Sequence, residues 1–347
     1  MRAKAFIALF VSLTVLGVAR ADESLLTLVG HTDVVSCVAL TPDGQTVVSG
    51  SYDNTIRVWR LSDGQFLRAL VGHTNTIRGL AISPDGQTVV SASQDTTVKI
   101  WRLSDGQILR TLLGHTSTVQ TVAVTPDGAY AVSAGTDQTI RVWRLADGQP
   151  IRTLTGHTGT ILSLALTPDG QTIVSGSYDK TVRVWRFSDG QLLRTLPVGN
   201  DPGHTHVINS VAVTPDGQTI VSGGWDNAVK VWRLSDGQLL RTIPGYANYV
   251  LSVAVTPDGK QIISANDYNT IRVARLSDGQ YLRARLGHTD DVMSVVVTPD
   301  GAKIVSGSKD GTVKVWETQG VGVSGSVLTS LWMAENSPYR VNGEINV

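Results

Sequence analysis

A repeat unit of 42 residues occurs seven times in this chain of 347 residues, and it constrains the fold more than any other feature. Each intact copy opens on Gly-His and carries a Trp about thirty residues later. A unit repeated at this period cannot bury its own apolar faces, so it must stack against its neighbours. The opening pairs begin at Gly30, Gly72, Gly114, Gly156, Gly203 and Gly287, with a decayed sixth copy at Gly245-Tyr246.

Turn residues divide each copy into four short segments. In the first copy, Thr41-Pro42-Asp43-Gly44 and Ser62-Asp63-Gly64 place Pro and Gly where tight turns need a fixed or positive φ. The runs beside them, Thr46-Val47-Val48 and Thr55-Ile56-Arg57-Val58-Trp59, are rich in β-branched residues and too short for stable helices. Each copy therefore predicts four β-strands.

Four strands in about 40 to 45 residues, with Gly-His early and Trp late, resemble the WD-repeat β-propeller family, here in a secreted bacterial form. The resemblance covers the chain from about Ser24 to Trp316. It implies an all-β fold, a seven-bladed β-propeller of four-stranded antiparallel blades. The last copy ends after its third strand, so the resemblance also implies that the N-terminal strand, Leu25 to Val29, closes the ring.

One departure from the family runs through all the copies, because the Asp that follows Trp in the family is absent. This position faces outward in the family, so its change does not put the fold in doubt. The residues found there are Arg60, Arg102, Arg144, Arg186, Arg233, Arg275 and Glu317.

Both ends of the chain depart from the repeat. Residues 1–21 have a basic start, an apolar run and the sequence Ala19-Arg20-Ala21, which predict a cleaved signal peptide and export to the periplasm or the extracellular space. The run is too short to cross a membrane, which takes roughly 20 residues. Residues 22–317 form the predicted propeller, and residues 318–347 a Gly/Ser-rich linker and a tail. The tail resembles the opening strands of a secreted right-handed β-helix module, either as its truncated start or as a short remnant.

Charge and cysteine content narrow the class of partner. Loss of residues 1–21 leaves 26 basic and 29 acidic residues, a net charge of −3, with no basic block for nucleic acid. Cys37 is the only cysteine, so no internal disulfide forms, and its apolar strand favours a buried core residue over a reactive thiol. We expect a monomeric ring with no transmembrane segment after signal cleavage.

Six copies share a Ser, a His, an Asp and a Trp, which in the family form a buried hydrogen-bond chain. A catalytic triad is the alternative, but six identical sets around a ring cannot face one substrate, so no catalytic residue is assigned. The sixth copy keeps Ser264 but has Tyr246, Tyr268 and Ala274, a joint loss that a structural network predicts, with the tyrosines filling the volume of the missing indole. The network residues are His31, Ser49, Asp53, Trp59, His73, Ser91, Asp95, Trp101, His115, Ser133, Asp137, Trp143, His157, Ser175, Asp179, Trp185, His204, Ser222, Asp226, Trp232, His288, Ser306, Asp310 and Trp316.

Comparison among the copies separates the two ends of the ring. The loops at the TPDG and LSDG turns, the constant face, are almost identical, whereas the loops beside Gly-His and before the network Asp, the variable face, differ from copy to copy. An insertion from Val198 to Pro202 enlarges one loop of the variable face. Loops that vary on a rigid scaffold usually carry recognition, although neutral drift is the alternative. The candidate binding residues are Tyr52, Arg78, Gln94, Gln120, Tyr178, Trp225, Tyr249, Asp267, Met293 and Lys309.

Three functions fit this pattern. The favoured hypothesis is a non-enzymatic exported scaffold that binds a protein or peptide on the variable face without a cofactor. The second is a propeller-type lyase or hydrolase at the channel mouth, and the third is a spacer for a downstream module. No metal site is expected, since His204 of the segment His204-Thr205-His206 belongs to a network and no second ligand pair is visible. The carboxylates at the mouth are Asp33, Asp267, Asp290 and Asp291.

Overall fold

The structure, a computed structural model, describes residues 22–197, 199, 202–244, 248–319, 340–341 and 344–345. Within these residues the chain forms seven antiparallel four-stranded sheets, the blades. The innermost strands of successive blades contact each other around a complete ring, in which the last meets the first. The predicted seven-bladed propeller is confirmed. The described part of the chain contains no helix, and therefore none able to span a membrane.

The strands fall into four classes by their place between the channel and the rim. The innermost strands are β2 Val35–Leu40, β6 Ile77–Ile82, β10 Val119–Val124, β14 Ile161–Leu166, β18 Ile208–Val213, β22 Val250–Val255 and β26 Val292–Val297. The second strands are β3 Thr46–Ser51, β7 Thr88–Ser93, β11 Tyr130–Gly135, β15 Thr172–Ser177, β19 Thr219–Gly224, β23 Gln261–Asn266 and β27 Lys303–Ser308. The third strands are β4 Thr55–Arg60, β8 Val98–Arg102, β12 Ile140–Arg144, β16 Val182–Arg186, β20 Val229–Arg233, β24 Thr270–Arg275 and β28 Thr312–Glu317. The outermost strands are β5 Phe66–Val71, β9 Ile108–Leu112, β13 Pro150–Leu154, β17 Leu192–Leu196, β21 Leu239–Ile243, β25 Tyr281–Leu286 and β1 Leu26–Val29.

The first strand of the chain completes the last blade. In the antiparallel pair of β1 and β28, Leu26 lies opposite Val315 and Val29 opposite Thr312. Without β1, β28 would be an unpaired edge strand and could pair with other chains. The predicted closure by the N-terminal strand is confirmed.

A buried arginine of the sixth blade fastens this closure. Arg285 occupies the outermost-strand position at which the first blade buries Leu70, and it is only 4% exposed. Its Nε and Nη2 donate hydrogen bonds to the Glu317 carbonyl at 3.0 and 2.8 Å, and Nη2 donates to the Gln319 carbonyl at 2.9 Å. Its Nη1 lies 3.8 Å from the Glu23 carboxylate. Arg285 therefore joins the sixth blade to both ends of the described propeller.

Apolar clusters between neighbouring blades form the core. Six of the seven clusters among the described residues include the repeat Trp, and all six indoles are buried. The cluster between the fifth and sixth blades has none, because the sixth copy has Ala274. Tyr281 packs against this cluster, and its hydroxyl donates to the Pro244 carbonyl at 3.1 Å.

The prediction that Tyr268 helps to fill the volume of this missing indole is wrong. Tyr268 is 48% exposed, because it lies in the turn between β23 and β24, whereas Ala274 lies near the opposite end of β24. Tyr246, the other tyrosine of that prediction, lies outside the described residues.

The arginines that replace the family's Asp take part in the LSDG turns. Arg60 donates from Nη1 to Asp63 at 3.0 Å, and the equivalent pairs of the next five blades lie at 2.7 to 2.9 Å. Both side chains of each pair are about half exposed. Exposed pairs of this kind contribute roughly 0.2 to 1 kcal/mol each, which agrees with an outward-facing position that tolerates change.

Several predicted segments lie wholly or mostly outside the described residues. They are the signal peptide, most of the insertion from Val198 to Pro202, and most of the linker and tail. Within the tail, β29 Arg340–Val341 and β30 Glu344–Ile345 form a short antiparallel pair.

Candidate functional site

Six hydrogen-bond networks run from the blade interior to the variable face. In each, the Trp Nε1 donates to the Ser Oγ at 2.7 to 2.9 Å. The Ser Oγ lies 2.7 to 2.8 Å from the His Nε2. The His Nδ1 lies 2.6 to 2.8 Å from an Asp carboxylate oxygen. These residues are the four that the sequence comparison singled out in each of six copies.

The donors and acceptors of each network follow from its chemistry when the imidazole is neutral. An indole nitrogen can only donate and an ionised carboxylate can only accept, so in that form Ser donates to the His Nε2 and the His Nδ1 donates to Asp. None of the six Ser side chains is exposed to solvent. Each hydroxyl is therefore buried with its proton committed, which is unsuited to a nucleophile that must meet a substrate. The networks position the variable-face loops, and their Ser hydroxyls are not accessible to a substrate.

The network carboxylates are held in the ionised form. Burial raises the pKa of Asp137, but hydrogen bonds from His115 and Thr139 outweigh it and bring the pKa to about 2. In the fifth blade Ala228 stands where the other networks have this Thr, so Asp226 lacks a hydroxyl donor there. Its pKa is still lowered, because hydrogen bonding and charge interaction with His204 outweigh burial.

A cavity of about 440 Å³ opens at the channel mouth on the variable face. Its volume lies within the range of small ligand sites, about 300 to 1,000 Å³. Six of the ten candidate residues line it, namely Tyr52, Arg78, Gln120, Tyr178, Trp225 and Met293. The structure thus brings together side chains from six of the seven blades, and only the sixth contributes none of these candidates. The other lining residues are Ser36, Thr160, Leu162, Asn209 and Leu251.

Aromatic side chains of three neighbouring blades form one wall of this mouth. Trp225 stacks on Tyr249 with ring centroids 5.1 Å apart and meets Tyr178 edge to face at 5.6 Å. His206 lies 5.9 Å from the same indole. Tyr178 is 44% and Tyr249 39% exposed, so the cluster presents ring surface to solvent. The Trp225 indole N–H has no acceptor among the described residues. Large rings held in fixed positions are typical anchors of protein interfaces.

Arg78 lies on the other side of the mouth, over the ring of Tyr52. Its guanidinium carbon is 4.5 Å from the Tyr52 ring centroid, and its Nη1 donates to the Tyr52 hydroxyl. Its Nη2 donates to Oε1 of Gln94 at 3.2 Å. The candidate Gln94 therefore positions Arg78 and does not line the cavity itself.

The two remaining candidates belong to an acidic sector of the sixth and seventh blades. Lys309 pairs with Asp291 at 2.5 Å. Asp267 lies nearby, and burial together with the charge of Asp291 raises its pKa to about 6. Neither Asp267 nor Lys309 lines the cavity. No cluster of three His, Cys, Asp or Glu side chains suited to a metal ion occurs in the described part of the chain, and both ring nitrogens of His204 are engaged in its network.

Sequence comparison passed over several residues of this site. Thr160 lies three residues after the network His157, and Tyr249 lies three residues after Tyr246, which replaces that His in the sixth copy. This position also differs among the copies, but only Tyr249 was selected there. Leu162, Asn209 and Leu251 lie at the start of the innermost strands, where variation was visible without any sign of which side chains converge. Their convergence depends on ring closure, which a single copy does not encode.

Contacts between blades explain why the turn sequences of the constant face are almost identical in all copies. The Gly128 backbone of one TPDG turn, at φ 69°, lies against Pro84 of the preceding blade, and a Cβ there would be 3.4 Å from the proline ring. The Gly148 of an LSDG turn lies against Leu112 of the preceding outermost strand. The same contacts recur around the ring. Similarity of these turns thus has a structural cause, so the contrast between the faces does not by itself identify a binding surface. The aromatic wall and the cavity are the structural observations that favour binding on the variable face.

Comparison with known proteins places all seven repeats in one family. The WD domain, G-beta repeat, matches residues 22–60, 64–102, 106–144, 148–186, 190–233, 237–273 and 279–317, well over half of the chain. An uncharacterized WD repeat-containing protein of Synechocystis is 56% identical over 43 residues, 12% of each chain. Ribosome assembly protein 4 of Saccharomyces cerevisiae is 38% identical over 48 residues, 14% of this chain and 9% of its own. Protein groucho of Drosophila melanogaster is 46% identical over 39 residues, 11% of this chain and 5% of its own.

These matches each span one repeat, and the chain covers about a tenth or less of the length of these relatives. They therefore support the repeat and carry no whole-protein activity. The seven repeat matches and the seven closed blades together show that the chain belongs to the WD domain, G-beta repeat family.

Proposed function

We propose that this protein is an exported, non-enzymatic scaffold that binds a protein or peptide at the channel mouth of its variable face. The observation that carries the proposal is the aromatic wall of Tyr178, Trp225 and Tyr249 beside a cavity of about 440 Å³. Exposed aromatic side chains on a rigid propeller offer contact area at a low cost in conformational entropy. Export is inferred from the signal-like residues 1–21.

The described network residues support the non-enzymatic part of this proposal. The repeated Ser-His-Asp sets are buried and occur in six blades, and no carboxylate is among the residues that line the cavity. The rival reading as a lyase or hydrolase would depend on Asp267, whose raised pKa is of the kind found in general acids. Turnover of a glycan or lactone that is lost in Asp267→Asn would support that rival.

Affinity capture with paired variants tests the scaffold. One variant changes Tyr52, Tyr178, Trp225 and Tyr249 to Ala, and its control changes the same number of exposed residues on the constant face. We expect the wild type and the control to capture the same partner and the mouth variant to lose it. Equal capture by all three proteins would contradict the proposal and leave the spacer hypothesis. The control substitutions are Arg60→Ala, Arg102→Ala, Arg144→Ala and Arg186→Ala.

A further inference from the structure

Within the part of the chain that the structure describes, the lining of the cavity at the channel mouth carries positive charge and no negative charge. Arg78 is the only charged residue among the described residues that line it. The two acceptors of Arg78, Tyr52 and Gln94, are neutral, and no ion pair within the described residues involves its guanidinium. A half-buried cation without a counter-charge attracts a ligand that brings one.

The guanidinium of Arg78 is positioned to accept such a ligand. Tyr52 lies under its plane, and the bonds to Tyr52 and Gln94 use one N–H on each terminal nitrogen. Each terminal nitrogen has two N–H groups, so one on each remains for an acceptor. Because the ring and Gln94 already fix the side chain, a carboxylate can bind with little further loss of side-chain freedom.

The remaining lining on the far side of the cavity is mostly apolar. Trp225 and Tyr178 form the aromatic wall, and the fourth, sixth and seventh blades add Leu162, Leu251 and Met293. These side chains suit a large apolar group of a ligand, which would be removed from water on binding.

Acidic residues outside the cavity set the direction in which a charged ligand can lie. Asp267, Asp290 and Asp291 belong to the sixth and seventh blades, and Asp33 belongs to the first. Lys309 pairs with Asp291 and also acts on Asp267 and Asp290, but one cation does not balance these three carboxylates. A carboxylate is therefore repelled from this sector and attracted towards the second blade, where Arg78 lies.

We propose that the mouth binds an acidic peptide segment, with a Glu or Asp carboxylate on Arg78 and a neighbouring large apolar side chain against Trp225. This inference rests on the proposed function, because it names the chemistry of the partner for the same site. It follows from charge complementarity at Arg78 together with the apolar wall opposite.

Selection from a phage-displayed library of random heptapeptides tests this inference on the full chain. We expect selected sequences to combine Asp or Glu with Trp, Phe, Leu or Met. Arg78→Met, which keeps the apolar stem, should weaken a selected synthetic peptide about tenfold and remove the salt dependence of its affinity, as expected for a lost charge pair of roughly 1.4 kcal/mol. Arg78→Lys should weaken it less. Arg144→Met on the constant face is the matched control and should leave affinity unchanged.

The outcomes separate the two proposals. Peptides that require Trp225 but show no enrichment in acidic residues, or prefer Lys and Arg, would overturn the acidic-peptide inference and leave the mouth as a binding site. Equal affinity of Arg78→Met and the wild type would overturn it as well. Selected peptides that bind to Trp225→Ala and to Arg78→Met as tightly as to the wild type would overturn both proposals. Thermal unfolding of each variant establishes that it is folded.

Discussion

A left-handed backbone follows the network Asp in the six blades that have it, and follows Tyr268 in the sixth blade, whichever residue stands there. The φ angle is 68° at Asn54, 70° at Thr96 and 78° at Gly311. Asn and Gly adopt this conformation readily, whereas a β-branched residue is strained in it. The repeat thus tolerates unfavourable residues at a position whose backbone is fixed by the blade around it.

Replacing Thr96 by Asn should relieve this strain. We expect Thr96→Asn to raise the free energy of unfolding by about 1 kcal/mol, the order of the cost of a left-handed L-residue. The reverse change in the first blade, Asn54→Thr, should lower it by a similar amount. Urea unfolding of both variants measures these values, and a Thr96→Asn protein less stable than the wild type would contradict the expectation.

The buried network carboxylates predict a dependence of stability on pH. The pKa of Asp137 is lowered to about 2 in the folded chain, against about 3.9 when unfolded, so its ionised form stabilises the fold above pH 4 and this contribution is lost as pH falls towards 2. Asp137→Asn removes a charged acceptor and should cost about 2 kcal/mol at pH 7.

The difference between wild type and Asp137→Asn should therefore shrink between pH 4 and pH 2. Unfolding free energies measured at several pH values follow it. Asp147→Asn changes an exposed turn carboxylate and is the matched control, for which a smaller effect is expected. A difference that stays constant down to pH 2 would show that the Asp137 charge does not stabilise the network.

At the scale of elements, we expect the contact of β1 with β28 to open before the other strand pairs, because of the seven blades only this one joins two distant parts of the chain. Arg285 reinforces the seam by binding the Glu317 and Gln319 carbonyls, and Lys314 pairs with Asp22 on the same side. The outermost strands of the other blades need no such fastening, since each follows its partner directly in sequence.

Replacing Arg285 by Leu tests this fastening, because Leu is the residue that the first blade buries at this position. We expect Arg285→Leu to lower the free energy of unfolding by about 2 kcal/mol, because the Glu317 and Gln319 carbonyls lose hydrogen bonds from a charged donor. Hydrogen exchange should become faster in β1 than in the other outermost strands. Arg275→Leu, which removes an exposed ion pair, should change β1 little. Unchanged exchange in β1 of Arg285→Leu would contradict the role of this residue.

At the scale of the molecule, the repeat predicts the fold well because each local signal agrees with the ring. Turn residues, β-branched runs and the Gly-His to Trp spacing specify every blade independently. A departure in one copy therefore leaves the prediction of the fold unchanged, because six other copies support it. Arg285 and Tyr281 were not predicted. Arg285 stands where the first copy has Leu70, Tyr281 packs against the cluster that lacks a Trp, and the partners of each come from another part of the ring. The stacking of Trp225 on Tyr249 likewise joins two blades and has no sequence signal within one copy.

The binding surface, like these contacts between blades, could not be identified from single copies of the repeat. Similarity of the TPDG and LSDG turns is explained by contacts such as Gly128 on Pro84, so sequence variation alone cannot distinguish recognition from drift. The convergence of Arg78, Tyr178 and Trp225 on one cavity became visible only in the closed ring. Binding at this mouth therefore depends on side chains that only the closed ring brings together.

Hydrogen exchange of the whole chain, alone and with a captured partner or selected peptide, shows where a partner binds. We predict protection at the variable-face ends of the second, fourth, fifth and sixth blades, around residues 76–80, 160–164, 205–211 and 248–252, with the TPDG turns and outermost strands unchanged. Protection confined to the constant-face turns or to the outermost strands would contradict binding at the mouth.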